Sequence, residues 1–190
     1  MPRDTPLHSE DLNHNKMFHA YYTFDNFVVG DSNRYAYTAA QTVSNALGKK
    51  YNPIFIYGAP GLGKTHLLHA IGHDAQNEGK IVIYATVEQF MNDVTNNLRN
   101  QTMDVFRKKY STCDVLLIDD IQYIAHKFQM QEALYQTLNE LYLANKQIVV
   151  TSDVPLHQID GLDDRLKSFL DGGLLTDIGF PDEKTKREII

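Results

Sequence analysis

The chain has 190 residues, 43% of them hydrophobic, which fills the core of one domain of ordinary size and argues against a second full domain. Its net charge of -6 excludes an overall basic field for nucleic acid, so any contact with DNA must come from a local patch. The single cysteine, Cys113, excludes an internal disulfide, and the lack of an apolar leader or a long apolar run predicts a soluble, cytoplasmic protein.

Residues 1–20 are polar and rich in charges and asparagine, which predicts a flexible arm ahead of a domain spanning 21–190. Three histidines of this arm, His8, His14 and His19, could together bind a metal. Because no cysteine joins them, a solvated tail is the better interpretation.

Apolar runs alternate with amphipathic segments along the rest of the chain. Strands are predicted at 53–57, 81–85, 114–118, 147–150 and 174–178. Helices are predicted at 33–47, 64–76, 87–99, 103–110, 129–144 and 162–170, with a further one starting at 182. This alternation predicts an α/β fold with a parallel sheet, and ligands at the carboxyl ends of its strands.

Two of the predicted helices show a clear apolar face. The inward face of the first helix is predicted to consist of Tyr35, Ala39, Val43 and Leu47. The inward face of the helix at 129–144 is predicted to consist of Ala133, Leu134, Leu138, Leu141 and Tyr142. Thr86 is placed to cap the helix that starts at Val87.

The first predicted strand runs into a complete G-x-x-x-x-G-K-T phosphate loop. Its residues are Gly58, Ala59, Pro60, Gly61, Leu62, Gly63, Lys64 and Thr65. The glycines let backbone N–H groups converge on phosphate oxygens at the positive end of the next helix. Lys64 adds a charge for the β- and γ-phosphates, and the Thr65 hydroxyl is placed to ligate Mg²⁺. A glycine-rich turn with a surface lysine, the alternative, leaves the flanking strand and helix unexplained.

Acidic residues follow two other predicted strands. Asp119 and Asp120 come after the third strand, and Asp153 comes after the fourth. Since the carboxyl ends of parallel strands share one edge, these residues should meet the phosphate loop. Asp119 is predicted to bind Mg²⁺, Asp120 to orient or deprotonate an attacking water, and Asp153 to position the γ-phosphate or that water, so that with Lys64 they form the predicted catalytic set. The alternative for the aspartate pair is a simple strand-end cap.

Three histidines share one face of the predicted helix at 64–76. His66, His69 and His73 lie opposite its apolar face, at i, i+3 and i+7. They could meet a metal, but a zinc site usually draws ligands from more than one segment. Packing against neighbouring elements or solvent is therefore the favoured interpretation.

The strongest local basic charge lies between residues 99 and 110. Opposed only by Asp104, four basic residues give this stretch a charge of +3: Arg99, Arg107, Lys108 and Lys109. They are candidates for contacts with the phosphate backbone of DNA. A solvated helix face explains the same charge equally well.

Four blocks of the sequence, beginning at Tyr22, Tyr51, Asp114 and Asn145, resemble the AAA+ domain of the bacterial DnaA replication initiators and occur in that family's order. The resemblance implies a P-loop AAA+ three-layer sandwich with a five-stranded parallel sheet, and ATP or ADP with Mg²⁺ as cofactors. It places Walker A at the phosphate loop, Walker B at Asp119 and Asp120, and sensor 1 at Asp153.

The same resemblance implies adenine contacts around 27–33, through Val28 and Asn33, and a further nucleotide contact at His66. It also implies that the helices within 87–110 form an insertion that lines a channel for single-stranded DNA in a filament of like subunits. That implication favours DNA as the partner of the basic stretch.

The chain also departs from the family pattern. Phe169 stands where the family has its arginine finger, which leaves Arg165 as the candidate residue of a subunit interface. The helical lid is expected to be absent or only begun, so weak turnover is expected. The expected function is the ATP/Mg²⁺-binding core of a DnaA-type initiator that contacts single-stranded DNA and like subunits in origin unwinding. The alternatives are a shortened regulator that binds or caps initiator filaments, and an ATPase of the helicase-loader type.

Overall fold

A computed structural model describes residues 18–189 and contains one all-parallel sheet in the strand order β2-β3-β4-β1-β5. The strands are β1 (Ile54–Tyr57), β2 (Val82–Thr86), β3 (Val115–Asp119), β4 (Gln147–Ser152) and β5 (Leu174–Asp177). The predicted parallel five-stranded sheet is therefore confirmed, with every strand boundary within two residues of its predicted place. β3 and β4 are buried along their whole length because helices cover both of their faces.

The helices form two layers around this sheet. They are α1 (Arg34–Asn45), α2 (Lys64–Asn77), α3 (Val87–Arg99), α4 (Met103–Ser111), α5 (Phe128–Leu143), α6 (Asp164–Asp171) and α7 (Glu183–Ile189). One apolar core joins the sheet to α1 and α2, and a second joins its opposite face to α3, α4, α5 and α6. The predicted three-layer sandwich is thus confirmed. Two short 3₁₀ helices, Ile121–Ile124 and Leu156–Gln158, were not predicted, since three or four residues carry no periodic signal.

Two aromatic residues predicted to face the core do not do so. Tyr35 is 86% exposed, and α1 instead buries Ala36, Ala39, Ala40 and Val43. Residues four apart on a helix drift by about 40° per step, so a row that is buried in the middle of α1 turns outward at its start. Tyr142 is 45% exposed and lies beside Phe169, whereas Leu134, Leu138 and Leu141 of α5 are buried as predicted.

The segment that begins at Phe18 packs against α2. His8 and His14 lie outside the described residues, but Phe18 is only 6% exposed and belongs to the core that α2 helps to form. Gly72 permits this contact, because a Cβ at that position would lie 2.4 Å from the Phe18 ring. Phe18 therefore packs on the folded domain, although it is predicted from the sequence to belong to the arm.

The histidine face of α2 binds this amino-terminal segment. His69 Nδ1 accepts the backbone N–H of His19 at 3.0 Å, and Nε2 of His73 lies 3.0 Å from the His19 carbonyl oxygen. Nε2 of His66 lies 2.7 Å from the Thr23 carbonyl oxygen. The three histidines of this face thus pack against the amino-terminal segment, as the favoured interpretation expects.

Candidate functional site

The loop between β1 and α2 has a backbone that glycine adopts without strain. Gly61 and Gly63 have φ angles of 79° and 104°. A Cβ on Gly63 would lie 2.9 Å from the Phe27 ring, and one on Gly58 would lie 2.4 Å from the Ile178 carbonyl oxygen. α2 begins directly after Gly63, so its amino end opens into the space that the loop encloses. This geometry agrees with the predicted phosphate loop.

Lys64 is held inside this loop although it carries a charge. Its side chain is only 5% exposed, and its ammonium donates to the carbonyl oxygens of Gly58, at 2.6 Å, and Ala59, at 3.0 Å. Asp153, at the end of β4, approaches the same nitrogen to 2.9 Å. The carbonyl dipoles and the carboxylate offset the cost of burying the ammonium, and they fix its position at the mouth of the loop.

Asp119 is the innermost carboxylate of the site. It ends β3, is 2% exposed, and accepts a hydrogen bond from the Thr65 hydroxyl at 2.8 Å. Tyr84 and Thr151 also donate their hydroxyls to it. Because the Thr65 hydroxyl donates its hydrogen to Asp119, the lone pairs of the Thr65 oxygen remain available to a cation. A threonine oxygen beside a buried carboxylate is a donor set that suits Mg²⁺, so these residues fit the metal that a nucleotide would bring.

Asp120 and Asp153 are joined by a glutamine that sequence reasoning did not single out. The side-chain nitrogen of Gln122 lies 3.1 Å from Asp153 and 3.4 Å from Asp120, and its oxygen accepts the Asp153 N–H at 3.2 Å. Burial, followed by the charge of Asp119, raises the pKa of Asp120 above its usual range. A carboxylate shifted in this direction is a better proton acceptor at neutral pH than an ordinary aspartate.

A cleft of about 630 Å³ lies in front of these groups and has room for a nucleotide. Its walls are Tyr21, Tyr22, Asn26, Phe27, Val28, Asn33, the loop from Pro60 to Thr65, His66, Asp120, Asp153, Glu188 and Ile189. The cleft thus brings together the predicted adenine residues, most of the phosphate loop and two of the three predicted carboxylates. Asp119 is not part of the wall, because it lies beneath Thr65.

Two of the predicted nucleotide contacts also shape the cleft wall. Asn33 is buried, accepts the Gly30 N–H and donates to the Val28 carbonyl oxygen, both at 2.9 Å. It therefore fixes the turn that carries Val28. His66 is bound to Thr23 and stacks on Tyr22 with 4.8 Å between ring centroids. Burial lowers the pKa of His66, which favours its neutral form.

Tyr84, Gln122 and Thr151 are site residues that the sequence did not reveal. Tyr84 lies on β2, whose register pairs it with Leu117, two residues before Asp119. Its contact with the site therefore depends on the pairing of strands far apart in the chain. Thr151 could have been found, because it lies two residues before Asp153 at the end of a predicted strand.

The predicted DNA-binding residues lie on α3 and α4, outside the cleft. Arg99, Arg107 and Lys108 are exposed and form no ion pair within residues 18–189. Lys109 instead pairs with Asp93 at 2.5 Å and lies over the Tyr110 ring. Its charge is therefore largely offset within the chain, and the basic surface is smaller than the sequence count suggests.

Arg165 and Phe169 of α6 are both held by α5. Arg165 pairs with Glu132, and its guanidinium lies 5.2 Å from the centre of the Tyr135 ring. Phe169 packs edge-on against Tyr135 and Tyr142, with centroid distances of 6.2 and 5.7 Å. The surface of α6 that the resemblance assigns to a subunit interface thus presents an aromatic cluster and a paired guanidinium.

None of the helices within residues 18–189 is long and apolar enough to cross a membrane. The family model for the bacterial DnaA ATPase domain matches residues 18–177. The chromosomal replication initiator protein DnaA of Aliarcobacter butzleri is 56% identical over 169 residues, which cover 89% of this chain and 39% of that protein. The DnaA of Geobacter sulfurreducens is 50% identical over 97% of this chain and 41% of its own length. The chain therefore spans about two fifths of the length of these relatives.

Solved structures of DnaA proteins are also similar to this chain. Domain III of Thermotoga maritima DnaA superposes with a TM-score of 0.88 at 44% identity, covering 90% of this chain and 72% of that one. A DnaA bound to AMPPCP and single-stranded DNA superposes with a TM-score of 0.87 at 41% identity, covering 90% of this chain and 54% of that one. The DnaC helicase loader has a TM-score of 0.71 at 16% identity over 84% of this chain and 99% of its own, which shows a shared fold alone.

Proposed function

Because the chain belongs to the family of bacterial DnaA ATPase domains, we propose that it binds ATP or ADP with Mg²⁺ and acts as the nucleotide-binding core of a DnaA-type replication initiator. The observation that carries this proposal is the convergence of Lys64, Thr65, Asp119 and Asp153 at one end of a 630 Å³ cleft. Five segments of the chain supply these groups and the cleft wall: 21–33, 60–66, 119–120, the end of β4 at Asp153, and 188–189. The AMPPCP ligand of the DnaA structure with 41% identity supports the same nucleotide class.

In this proposal the chain's own groups bind and orient the triphosphate. The backbone N–H groups of the phosphate loop and of the amino end of α2 donate to its oxygens, and the Lys64 ammonium adds a full positive charge. Val28 and Asn33 line the same cleft and are proposed to contact the base. Thr65 and Asp119 would hold Mg²⁺, whose charge would offset that of the phosphates.

Hydrolysis is assigned to the pair of carboxylates that Gln122 joins. Asp120 orients a water and accepts its proton, a role that its raised pKa supports. Asp153 holds Lys64 and positions the γ-phosphate or the water. The chain has Phe169 where the family has an arginine finger, and a finger contributes about 10³- to 10⁵-fold to turnover. We therefore expect slow hydrolysis by this chain, also in the presence of like subunits.

The exposed residues Arg99, Arg107 and Lys108 are proposed to contact the backbone of single-stranded DNA. The chain is acidic overall, so this contact depends on local charge and should weaken steeply with salt. The single-stranded DNA in the DnaA structure with AMPPCP supports this partner.

The variant Lys64→Ala tests the nucleotide site. It removes the one ammonium at the mouth of the loop, so we expect loss of ATP binding in titration calorimetry, with an unchanged circular dichroism spectrum. Lys50→Ala is the matched control, because Lys50 is exposed and lies outside the cleft. Wild-type affinity in the folded Lys64→Ala variant would contradict the proposed site.

A second candidate function is a regulator that binds initiator filaments and ends them. The packing of Phe169 between Tyr135 and Tyr142 favours it, because α6 then offers no free guanidinium to a neighbouring nucleotide. Such a subunit would bind one neighbouring subunit through the face that carries its nucleotide cleft. It would not stimulate ATP hydrolysis in the subunit that contacts its α6.

Filament length distinguishes these two functions. Added to an authentic DnaA initiator with ATP, a capping subunit shortens filaments in electron micrographs, whereas a competent subunit lengthens them or leaves them unchanged. The variant Phe169→Arg restores the guanidinium and should reverse the shortening. Shortening that persists in Phe169→Arg would rule out the missing arginine as its cause.

A further inference from the structure

A tyrosine of β2 contacts the carboxylate on which the proposed metal site depends. The Tyr84 hydroxyl donates to Asp119 Oδ2 at 3.1 Å, and the same oxygen accepts the Thr65 hydroxyl at 2.8 Å. Thr151 donates to the other oxygen, Oδ1. The Lys64 ammonium does not bond to Asp119, because it binds Asp153 and two carbonyl oxygens. Within residues 18–189, the side chain of Asp119 is therefore oriented by three uncharged hydroxyl groups.

Tyr84 is itself held firmly in place. Its ring packs edge-on against His69 and Phe18, with centroid distances of 4.8 and 6.2 Å. The Tyr84 phenol is the donor of this hydrogen bond, because an ionised carboxylate oxygen can only accept. Burial lowers the pKa of His69 to about 4, so this ring is neutral at neutral pH and places no positive charge beside Tyr84.

We propose that Tyr84 is a positioning residue for the metal of the bound nucleotide. Its hydroxyl holds the Asp119 carboxylate in the orientation that accepts the Thr65 proton, which leaves the Thr65 oxygen free to ligate Mg²⁺. Without the Tyr84 hydroxyl, Oδ2 loses one of its two donors and the carboxylate can turn away from Thr65. Outer partners of metal ligands typically change metal affinity by about 10- to 100-fold. This inference rests on the proposed function of the site.

The variant Tyr84→Phe keeps the packed ring and removes only the donor. ATP binding is measured by calorimetry over a series of free Mg²⁺ concentrations and in excess EDTA. We expect the Mg²⁺ concentration for half-maximal tightening of ATP binding to rise about 10-fold or more. The affinity in EDTA should stay within about twofold of wild type, because the amides and Lys64 are untouched.

The matched control is Tyr110→Phe. The Tyr110 hydroxyl also donates to a carboxylate, Asp93, at 2.9 Å, but this pair lies between α3 and α4, away from the cleft. The Mg²⁺ requirement of Tyr110→Phe should equal that of wild type. Thr151→Val removes the donor to the other oxygen of Asp119, and with it the acceptor of the Asp120 N–H, and should raise the requirement in the same direction if the orientation of Asp119 sets it.

Three results would overturn the inference: an unchanged Mg²⁺ requirement in the folded variant, an equal loss of affinity with and without Mg²⁺, or the same shift in Tyr110→Phe. The second of these would mean that Tyr84 only supports the fold of the loop. A wild-type chain that binds no ATP at any Mg²⁺ concentration would refute the proposed function itself, and the inference with it. Failure of the inference alone is distinct, since wild type then binds ATP with Mg²⁺ and Tyr84→Phe does so equally well.

Discussion

Phe18 ties the amino-terminal segment to the helix that carries the phosphate loop. Its ring lies on Gly72 of α2 and against His69, His73 and Tyr84. The next residues, held by the three histidines, lead into Tyr21 and Tyr22 of the cleft wall. A single buried ring thus supports both the fold and one side of the candidate site.

Phe18→Ala is therefore expected to lower the free energy of unfolding by about 3 kcal/mol, because it leaves a cavity on α2 that neighbouring groups fill only in part. Urea unfolding followed by circular dichroism measures this change. Tyr35→Ala, which also removes an aromatic ring, is the control and should cost less than about 0.5 kcal/mol, since Tyr35 is largely exposed. Equal effects of the two variants would show that residues 18–20 do not belong to the domain.

Individual site residues differ in how far the sequence could reveal them. Lys64, Asp119 and Asp153 are visible because each follows a predicted strand, and parallel strands end at one edge. Tyr84 and Gln122 are not visible in this way. Tyr84 reaches Asp119 through the β2–β3 register, and Gln122 reaches Asp153 because Asp120 adopts a left-handed conformation with φ of 61°. Neither the register nor that angle can be derived from residue spacing.

At the scale of elements, α3 and α4 form one unit that carries the basic surface. Thr86 caps α3 as predicted, with a reciprocal bond to Gln89, and Asp93 binds both Lys109 and Tyr110 across the helix pair. The helix boundaries follow from capping and periodicity. The pairing of Lys109 does not, because Asp93 and Lys109 lie 16 residues apart in the chain.

This pairing predicts unequal roles for the basic residues. Arg107→Ala and Lys108→Ala should each weaken binding of single-stranded DNA and reduce the slope of log affinity against log salt by about 0.7. Lys109→Ala should have a clearly smaller effect, because Asp93 already offsets its charge. Fluorescence anisotropy with a labelled oligonucleotide at several salt concentrations measures both quantities. Equal slopes in all three variants and wild type would exclude this surface as the DNA contact.

At the scale of the whole molecule, the candidate site lies at one edge of the sheet. The carboxyl ends of β1, β3 and β4 carry the phosphate loop, Asp119 and Asp153, and the amino-terminal segment closes the cleft from the side of α2. The layers and the parallel sheet follow from the alternation of apolar runs, which is strong throughout the chain. The burial of Phe18 does not, because a single aromatic residue after a polar stretch has no period to reveal it.

We propose that separate segments of the chain enclose one triphosphate with its metal. A crystal structure with a non-hydrolysable ATP analogue and Mg²⁺ tests it most directly. We expect the phosphates to lie within the loop from Gly58 to Thr65, with Lys64 beside them and the metal bound to the Thr65 oxygen near Asp119. A ligand bound elsewhere on the chain, or a metal distant from both Thr65 and Asp119, would contradict it.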